Sequence, residues 1–204
     1  MKPYEILSKV IDVIAENKEY LTELDRAIGD SDHGVNLDRG FQKIKSELTA
    51  YENMNLAEMA NKIAMTLISN VGGASGALYG TAFMKAGMFL KTQTEINDAV
   101  IAEALNQMIA GIKSRGKAER GEKTMLDTLI PVYEFVKAAA DKGDSLLDTA
   151  DEIAEIAKKS MEATKDIKAT KGRASYLGER SIGHIDPGAY SSYLIIKTIC
   201  ENIR

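Results

Sequence analysis

The amino-acid sequence predicts an all-α protein, an antiparallel bundle or barrel of about eight helices whose functional loops lie at one end. Apolar residues recur at helical spacing through most of the chain. No segment alternates apolar and polar residues cleanly over six positions, so we predict no strand. Thirteen of the 16 glycines fall into four short segments between the helical stretches. The predicted helices cover residues 4–24, 34–48, 56–69, 74–91, 97–112, 124–140, 145–161 and 189 onward.

The first four helices follow from the apolar pattern and the glycine-rich loops. In the first, Val10, Ile14 and Leu21 lie on one face. The second and fourth are helical runs that each follow a glycine-rich loop. Before the third, Asn55 and Glu58 have the spacing of a capping box, which predicts a helix start at this point.

The later helices are predicted in the same way. Thr124 and Asp127 have the spacing of a second capping box and open the sixth helix. The seventh begins at residue 144 or 145. The residues expected on the inner faces are Val100, Ile101, Leu105, Met108 and Ile112 in the fifth helix, Leu147, Ala150, Ala154, Ala157 and Met161 in the seventh, and Tyr193, Leu194, Ile196 and Ile199 in the last.

Length and composition predict one cytoplasmic domain, residues 1–204. The chain is 45% apolar, enough for one core, and no run of 18 apolar residues predicts a membrane span. Charged residues throughout the first twenty positions do not resemble a signal peptide. The single cysteine, Cys200, excludes an intramolecular disulfide and fits a reducing compartment. The net charge of −4 argues against a nucleic-acid surface.

The most informative segment is 25–36, which reads DRAIGDSDHGVN. Asp25, Asp30 and Asp32 lie within eight residues, and a glycine stands on each side of the turn. A tight loop would bring the three acids together, and such hard oxygen ligands suit Mg²⁺ or Ca²⁺. The regular series of an EF-hand is absent. Three acids are enough for two Mg²⁺ ions whose coordination a polyphosphate completes.

Two other interpretations of this segment stay open. Aspartates are common at helix caps and in turns that bind no metal, so the segment also fits an Asp-rich cap. His33 fits a metal ligand, a base or a group that orients a neighbouring carboxylate, and beside a hard cation the last role is favoured.

The segment 72–80, GGASGALYG, precedes a helical run. Small residues at a helix N-terminus expose backbone N–H groups, and this is where phosphate binds. Ser75 adds a hydroxyl. The segment lacks the GK[ST] ending of a P-loop. Small residues equally allow two helices to pack closely.

Two cation-rich segments, 113–123 and 165–180, also contain glycines and follow predicted helices. Such runs are usually solvated faces. At the end of a bundle they would also stabilise phosphoryl oxygens. The segment 183–188, GHIDPG, fits a plain Pro-Gly turn or a nucleotide contact made by Asp186.

Together these segments resemble the nucleotide-binding L subunits (DhaL) of dihydroxyacetone kinases. The resemblance is carried by GDSDHGVN at 29–36, RGF at 39–41, the glycine loop at 72–80, GEKTMLD at 121–127 and GRASYLGERSIGHIDPGA at 172–189. These blocks extend over nearly the whole chain and are jointly far more specific than any one alone. The resemblance implies an eight-helix barrel with a nucleotide held in the loops at one end.

The resemblance also implies roles for individual residues. Asp25, Asp30 and Asp32 would hold two Mg²⁺ ions that bridge the nucleotide phosphates. Arg173 would contact the transferring phosphoryl group, with His33 beside it at the catalytic centre. The implied nucleotide contacts are His33, Gly34, Val35, Asn36, Ala74, Ser75, Gly76, Gly116, Met125, Arg173, Asp186, Pro187 and Gly188.

A complete nucleotide site would leave no second domain to hold a triose. The resemblance therefore implies a partner, the K subunit DhaK, which carries dihydroxyacetone. In the phosphotransferase-system-dependent kinases ADP stays bound as a cofactor and is rephosphorylated in place by DhaM. The alternatives are an L-type domain that uses free ATP or serves another acceptor, and a nucleotide-loaded regulatory module without turnover. Whether the subunit forms a homodimer stays open.

Overall fold

The computed structural model describes residues 1–203 and is all-α, as the sequence predicts. Nine α-helices and three short 3₁₀ segments make up the secondary structure of this range, and no strand lies within it. The helices are α1 (Pro3–Glu16), α2 (Lys18–Ile28), α3 (His33–Ser46), α4 (Leu56–Asn70), α5 (Gly73–Leu90), α6 (Asp98–Gly116), α7 (Leu126–Lys142), α8 (Ala150–Ala163) and α9 (Pro187–Asn202). The 3₁₀ segments are Leu48–Tyr51, Thr164–Asp166 and Arg173–Ser181.

The first predicted helix is divided into α1 and α2 at Asn17. The backbone of Asn17 departs from helical geometry at φ −98° and ψ 7°, and its side-chain amide donates to the Val13 carbonyl at 2.8 Å. The Leu21 N–H then bonds to the Asn17 carbonyl, so the second helix starts at once. Asparagine side chains that bond to the backbone compete with the helical pattern, which is why the break falls here.

The helices form a closed ring. Successive helices from α3 to α9 pack against one another, and α1 and α2 both pack against α3 and α9. The divided first helix thus acts as one member of an eight-membered barrel. Its largest fully buried side chains are Tyr51 and Phe41. No helix in the described range is long and apolar enough to cross a membrane.

The start of α8 differs from the prediction. Residues 145–149 form turns rather than the first turn of a helix, because the Ser145 hydroxyl accepts the Leu147 N–H at 3.2 Å. The Thr149 hydroxyl donates back to the Ser145 carbonyl at 3.0 Å. Leu147 is consequently 49% exposed rather than buried. The predicted capping box before α4 is confirmed, with Asn55 and Glu58 exchanging both hydrogen bonds.

The up-and-down order of the helices places their ends around one cleft. The N-termini of α3, α5, α7 and α9 border it, together with the C-termini of α2 and α6. Helix N-termini carry unpaired N–H groups and the positive end of the helix dipole. The barrel therefore gathers four such ends where the sequence places its acidic and glycine-rich loops.

Candidate nucleotide and metal site

The cleft at this end of the barrel has a volume of about 790 Å³. The acidic loop forms one side, the start of α5 another, and the loops before α7 and α9 the remainder. Of the predicted nucleotide contacts, those that border the cleft are His33, Ala74, Ser75, Gly116, Met125, Arg173, Asp186, Pro187 and Gly188.

Asp25, Asp30 and Asp32 form a carboxylate cluster. One oxygen from each lies within 4.8 Å of one from each of the others. Asp25 is buried at the end of α2, whereas Asp30 is exposed on the loop that follows. Ser31 between the two loop acids has a φ of 64°, in the left-handed region, and this turns both acids towards the same point. All three donors are hard oxygen atoms, so the residues fit Mg²⁺.

Asp25 is oriented by the backbone of the loop itself. Its Oδ2 accepts the N–H groups of Asp32 at 2.7 Å and His33 at 3.1 Å. Its Oδ1 occupies space that only glycine leaves free, because a Cβ on Gly29 would lie 2.0 Å from it. One carboxylate oxygen is thus used to hold the start of α3, and the glycine at position 29 leaves the space that the other oxygen occupies.

The charges in this cluster are not balanced by the protein alone. The pKa of Asp32 is raised first by burial, then by the negative charges of Asp30 and Asp25. An Asn36 hydrogen bond and the Arg173 charge oppose that shift only in part. A divalent cation between the carboxylates would remove the repulsion, which is the electrostatic signature of a cation site.

Arg173 stands at the mouth of the cleft and pairs with the cluster. Its Nε lies 2.6 Å from Asp30 Oδ2, although 69% of the arginine side chain is exposed. The same guanidinium can turn to a phosphoryl oxygen if a cation replaces it at Asp30, since both partners are anionic oxygens.

The His33 ring is buried beneath the cluster and borders the cleft. Its Nε2 lies 3.0 Å from Ser191 Oγ on α9. Burial lowers the pKa of His33 to about 4, so the ring is neutral near pH 7. The ring contacts a serine hydroxyl, so the predicted role of orienting a neighbouring carboxylate stays a prediction.

The start of α5 is shaped to approach a ligand closely. Gly73 has a φ of 66°, and a Cβ there would lie 3.1 Å from Asp32 Oδ2. Ala74 is exposed and Ser75 is buried, and both border the cleft. Gly76 lies outside the cleft lining and lets α5 pack on the preceding turn, since its Cβ would lie 2.2 Å from the Val71 carbonyl. Close packing by a small residue is thus seen at Gly76, and phosphate binding at the start of α5 stays a prediction.

Three predicted contacts on α3 also lie outside the cleft lining. A Cβ on Gly34 would lie 2.1 Å from the Lys18 carbonyl, so this glycine allows α3 to pack on α2. Val35 is 44% exposed. Asn36 is buried and bonds to Arg39 and to Asp32. Asn36 thus orients a carboxylate of the cluster.

Part of the cleft lining is apolar. It combines the predicted Met125 with Leu78 and Ala118, from the glycine-rich and cationic segments, and with Ile112, which the sequence placed only in a helix. These residues have helical spacing like any core residue, so nothing in the sequence distinguishes them. A flat apolar wall next to polar loops suits a nucleobase.

Lys123 and Asp186 are two charged residues that also border the cleft. The Lys123 side chain is only 1% exposed, and its ammonium donates to the carbonyls of Thr164, at 2.5 Å, and His184. Asp186 Oδ2 accepts the Ala189 N–H at 2.8 Å and so caps α9. Burial raises the pKa of Asp186 to about 7, with a smaller contribution from the charge of Asp127.

The loop before α7 is held by Asp127. Its two carboxylate oxygens accept the N–H groups of Gly121, at 2.5 Å, and Thr124, at 2.7 Å. Only half of the predicted capping box forms, because the Thr124 hydroxyl accepts from Leu126 rather than from Asp127 and α7 begins at Leu126. This fixed loop carries Lys123 and Met125 into the cleft.

The fold and the cleft together define a class: an all-α barrel that binds a phosphate-bearing ligand and a hard divalent cation at the ends of its helices. The chain belongs to the DAK2 domain family, whose family model matches residues 27–201. The sequence resemblance to the L subunits is thereby confirmed.

Relatives of known name agree with this membership. One is the ADP-binding subunit DhaL of PEP-dependent dihydroxyacetone kinase 1 from Listeria innocua, 45% identical over 92% of this chain and 89% of the relative. The corresponding subunits of Escherichia coli and Lactococcus lactis are 41% and 43% identical over 95% and 97% of this chain and 92% and 94% of their own length. These names are those of phosphotransferase subunits, which confirms the predicted enzyme class at the level of the family.

Solved structures share the fold. The dihydroxyacetone kinase of C. freundii matches with a TM-score of 0.76 and 25% identity over 97% of this chain. A second structure of that kinase, in complex with AMP-PNP and Mg²⁺, matches with a TM-score of 0.76 and 26% identity. This chain spans about a third of the length of each of those proteins.

Proposed function

We propose that this protein is the nucleotide-carrying phosphotransferase subunit of a dihydroxyacetone kinase. In this proposal it binds ADP with two Mg²⁺ ions, is loaded to ATP by DhaM, and passes the γ-phosphoryl group to dihydroxyacetone held on DhaK. The observation that carries the proposal is the carboxylate cluster, which borders one cleft together with the N-termini of four helices. The three subunits would meet in the cytoplasm, a compartment that fits the single cysteine.

The carboxylate cluster supports the metal part of the proposal. Asp25, Asp30 and Asp32 are the residues that would hold Mg²⁺, and Asn36 and the α3 backbone hold two of them in position. When bound, Mg²⁺ neutralises phosphate charge and stabilises the charge that develops on the transferred group. Two ions against three carboxylates leave a positive charge, which favours a di- or triphosphate.

The other walls of the cleft contact different parts of the nucleotide. The N–H groups at the start of α5 bind phosphate oxygens, and Ser75 adds a hydroxyl there. Leu78, Ile112 and Met125 pack against the base. Asp186 and Gly188 lie between these regions, where the sugar would be.

Arg173 supplies the charge stabilisation at the open side of the cleft. Its exposure leaves it free to exchange Asp30 for the transferring phosphoryl group. Phosphoryl transfer needs positioning and charge stabilisation more than a protein nucleophile.

The proposal is tested by asking which donor charges the subunit. The purified protein is analysed by native mass spectrometry and then assayed with DhaK and dihydroxyacetone. We expect retained ADP and two magnesium ions, and rapid product formation with phosphorylated DhaM in the absence of free ATP. Fast turnover with free ATP alone, from protein that retains no ADP, would contradict the cofactor role and favour the ATP-using alternative. Retained nucleotide with no transfer to any acceptor would favour the regulatory module. The same spectrum reports whether the subunit is a homodimer.

A further inference from the structure

A chain of buried polar groups lies beneath the cleft. His33 Nε2 is 3.0 Å from Ser191 Oγ, which is 2.8 Å from the Tyr79 hydroxyl. The Tyr79 hydroxyl is also 2.9 Å from Ser192 Oγ. The chain connects α3, α5 and α9, the N-termini of which all border the cleft.

Ser191 is the branch point of this chain. Its hydroxyl contacts His33 and Tyr79 and also lies 3.1 Å from the Gly188 carbonyl. A serine hydroxyl has one proton to donate and two lone pairs to accept with. The Gly188 carbonyl can only accept, so it takes the Ser191 proton when all three contacts are made. His33 and Tyr79 must then both donate to Ser191.

We propose that Ser191 and Tyr79 are positioning residues that hold His33 in one tautomer, with the proton on Nε2 and an unprotonated Nδ1. In the neutral ring Nδ1 is then a fixed hydrogen-bond acceptor on a residue that borders the cleft. The chemical class that it takes is an O–H donor, a hydroxyl group or a water molecule. The inference rests on the proposed phosphoryl transfer only for its kinetic measurement.

The burial of these hydrogen-bonded groups argues that they do more than pack the three helices together. Ser191 is 0% and Tyr79 is 3% exposed, and buried polar groups are costly unless they are paired. A serine that bonds back to its own helix accounts for the contact with Gly188 alone. It does not account for a tyrosine from α5 and a histidine from α3 that meet the same oxygen. Burial also raises the pKa of Tyr79 to about 12, so this hydroxyl keeps the proton that it donates.

The tautomer can be read directly by NMR of histidine labelled with nitrogen-15. The protein has two histidines, and the second, His184, is exposed and serves as the internal reference. In the wild-type protein we expect His33 Nε2 in the protonated range and Nδ1 in the unprotonated range, with His184 averaging both tautomers. Ser191→Ala removes the branch point at little steric cost, and the His33 signals should move towards that average. Ser192→Ala is the matched control, because it removes a neighbouring hydroxyl that does not contact His33.

A kinetic comparison tests whether the acceptor is used. Ser191→Ala should lower kcat by about fivefold, which corresponds to the loss of one ordinary hydrogen bond. The KM for nucleotide should be unchanged. Tyr79→Phe should have a smaller effect in the same direction, because His33 keeps its contact with Ser191. A wild-type His33 with its proton on Nδ1 would overturn the inference, as would a Ser191→Ala variant with unchanged tautomer or unchanged kcat. The NMR result stands even if no transfer to dihydroxyacetone is found, so the two proposals fail separately.

Discussion

Arg173 Nε lies 2.6 Å from Asp30 Oδ2, so the cation predicted for phosphoryl transfer is paired with a carboxylate predicted for metal binding. The two groups satisfy each other across the mouth of the cleft. A bound metal ion would be a stronger partner for the aspartate, and a phosphate group would be a stronger partner for the arginine. The pair is therefore a contact that ligand binding is expected to exchange.

Replacing Arg173 should separate transfer from binding. We expect Arg173→Gln to lower the rate of phosphoryl transfer by about 10³-fold, the usual contribution of an arginine to the transition-state charge. Retention of Mg²⁺ should be unchanged or better, because a competitor for Asp30 is removed. Single-turnover rates and magnesium titration measure the two effects. Arg180→Gln, in the same 3₁₀ segment, is the control, and transfer at the wild-type rate in Arg173→Gln would remove this residue from the mechanism.

Replacing Asp30 should remove the metal. Asp30→Asn keeps the shape but removes one of the three negative charges of the cluster, at its exposed corner. We expect Mg²⁺ affinity to fall by at least about 10- to 100-fold, with loss of retained nucleotide, since even indirect supports of a metal site have effects of this size. Isothermal titration measures both. Asp12→Asn, which loses only a half-exposed ion pair with Lys45, is the matched control; equal behaviour of the two variants would argue against the metal site.

Adding one methyl group at Gly29 should disturb the cluster without changing any charge. The new Cβ would lie 2.0 Å from Asp25 Oδ1, so the carboxylate or the loop has to move. We expect Gly29→Ala to weaken Mg²⁺ binding by at least about tenfold and to cost about 1–3 kcal/mol of stability, the usual effect of overpacking. Gly111→Ala on α6 is the control, because the nearest atom there is Cγ of the flexible Lys85 side chain at 3.0 Å. Undiminished Mg²⁺ affinity in Gly29→Ala would mean that Asp25 is not a ligand.

The stability of the ligand-free protein should depend on the ionisation of Asp186. The folded-state pKa of about 7 lies above the ordinary value near 4, so the folded protein holds this proton more tightly than the unfolded chain. The resulting stability is fully present below pH 4 and is lost as the pH rises through 7.

Asp186→Asn removes the cost of ionisation and keeps a good helix cap. We expect the variant to exceed the wild type by about 2 kcal/mol at pH 8 and to match it near pH 4. Urea denaturation at both pH values measures the difference, and Asp148→Asn on an exposed turn is the control. A variant that is less stable than the wild type at pH 8 would contradict the assignment.

Replacing Lys123 should lower the free energy of unfolding more than replacing an exposed lysine. Lys123→Met would leave the carbonyls of Thr164 and His184 without their shared donor. The expected loss is about 2–3 kcal/mol, the range for an unsatisfied buried acceptor and a charged hydrogen bond. Denaturant unfolding measures it, with the exposed Lys142→Met as the control. Equal stability of the two variants would show that the buried ammonium is not a structural support.

The sequence predicted those parts of the candidate site whose residues are close together in the sequence. The three aspartates fall within eight positions, so a single turn brings them together whatever the rest of the barrel does. Leu78 and Ile112 escaped prediction because a residue that lines a cleft and one that fills a core have the same helical spacing. Gly34 and Gly76 allow helices and turns to pack closely, a property that a pattern of small residues shares with phosphate binding, so their role as nucleotide contacts stays a prediction.

The sequence by itself determined the helices, the predicted all-α class and the acidic loop, because apolar periodicity, capping residues and a short turn are local properties. It also determined the family, through blocks of residues distributed along the chain. Only the tertiary structure decided which loops meet: Arg173 with Asp30, Lys123 with the loop before α9, and His33 with Ser191. Those pairs depend on the closure of the barrel by α1 and α2 against α9, which follows from the packing of the whole core and is not encoded in any single segment.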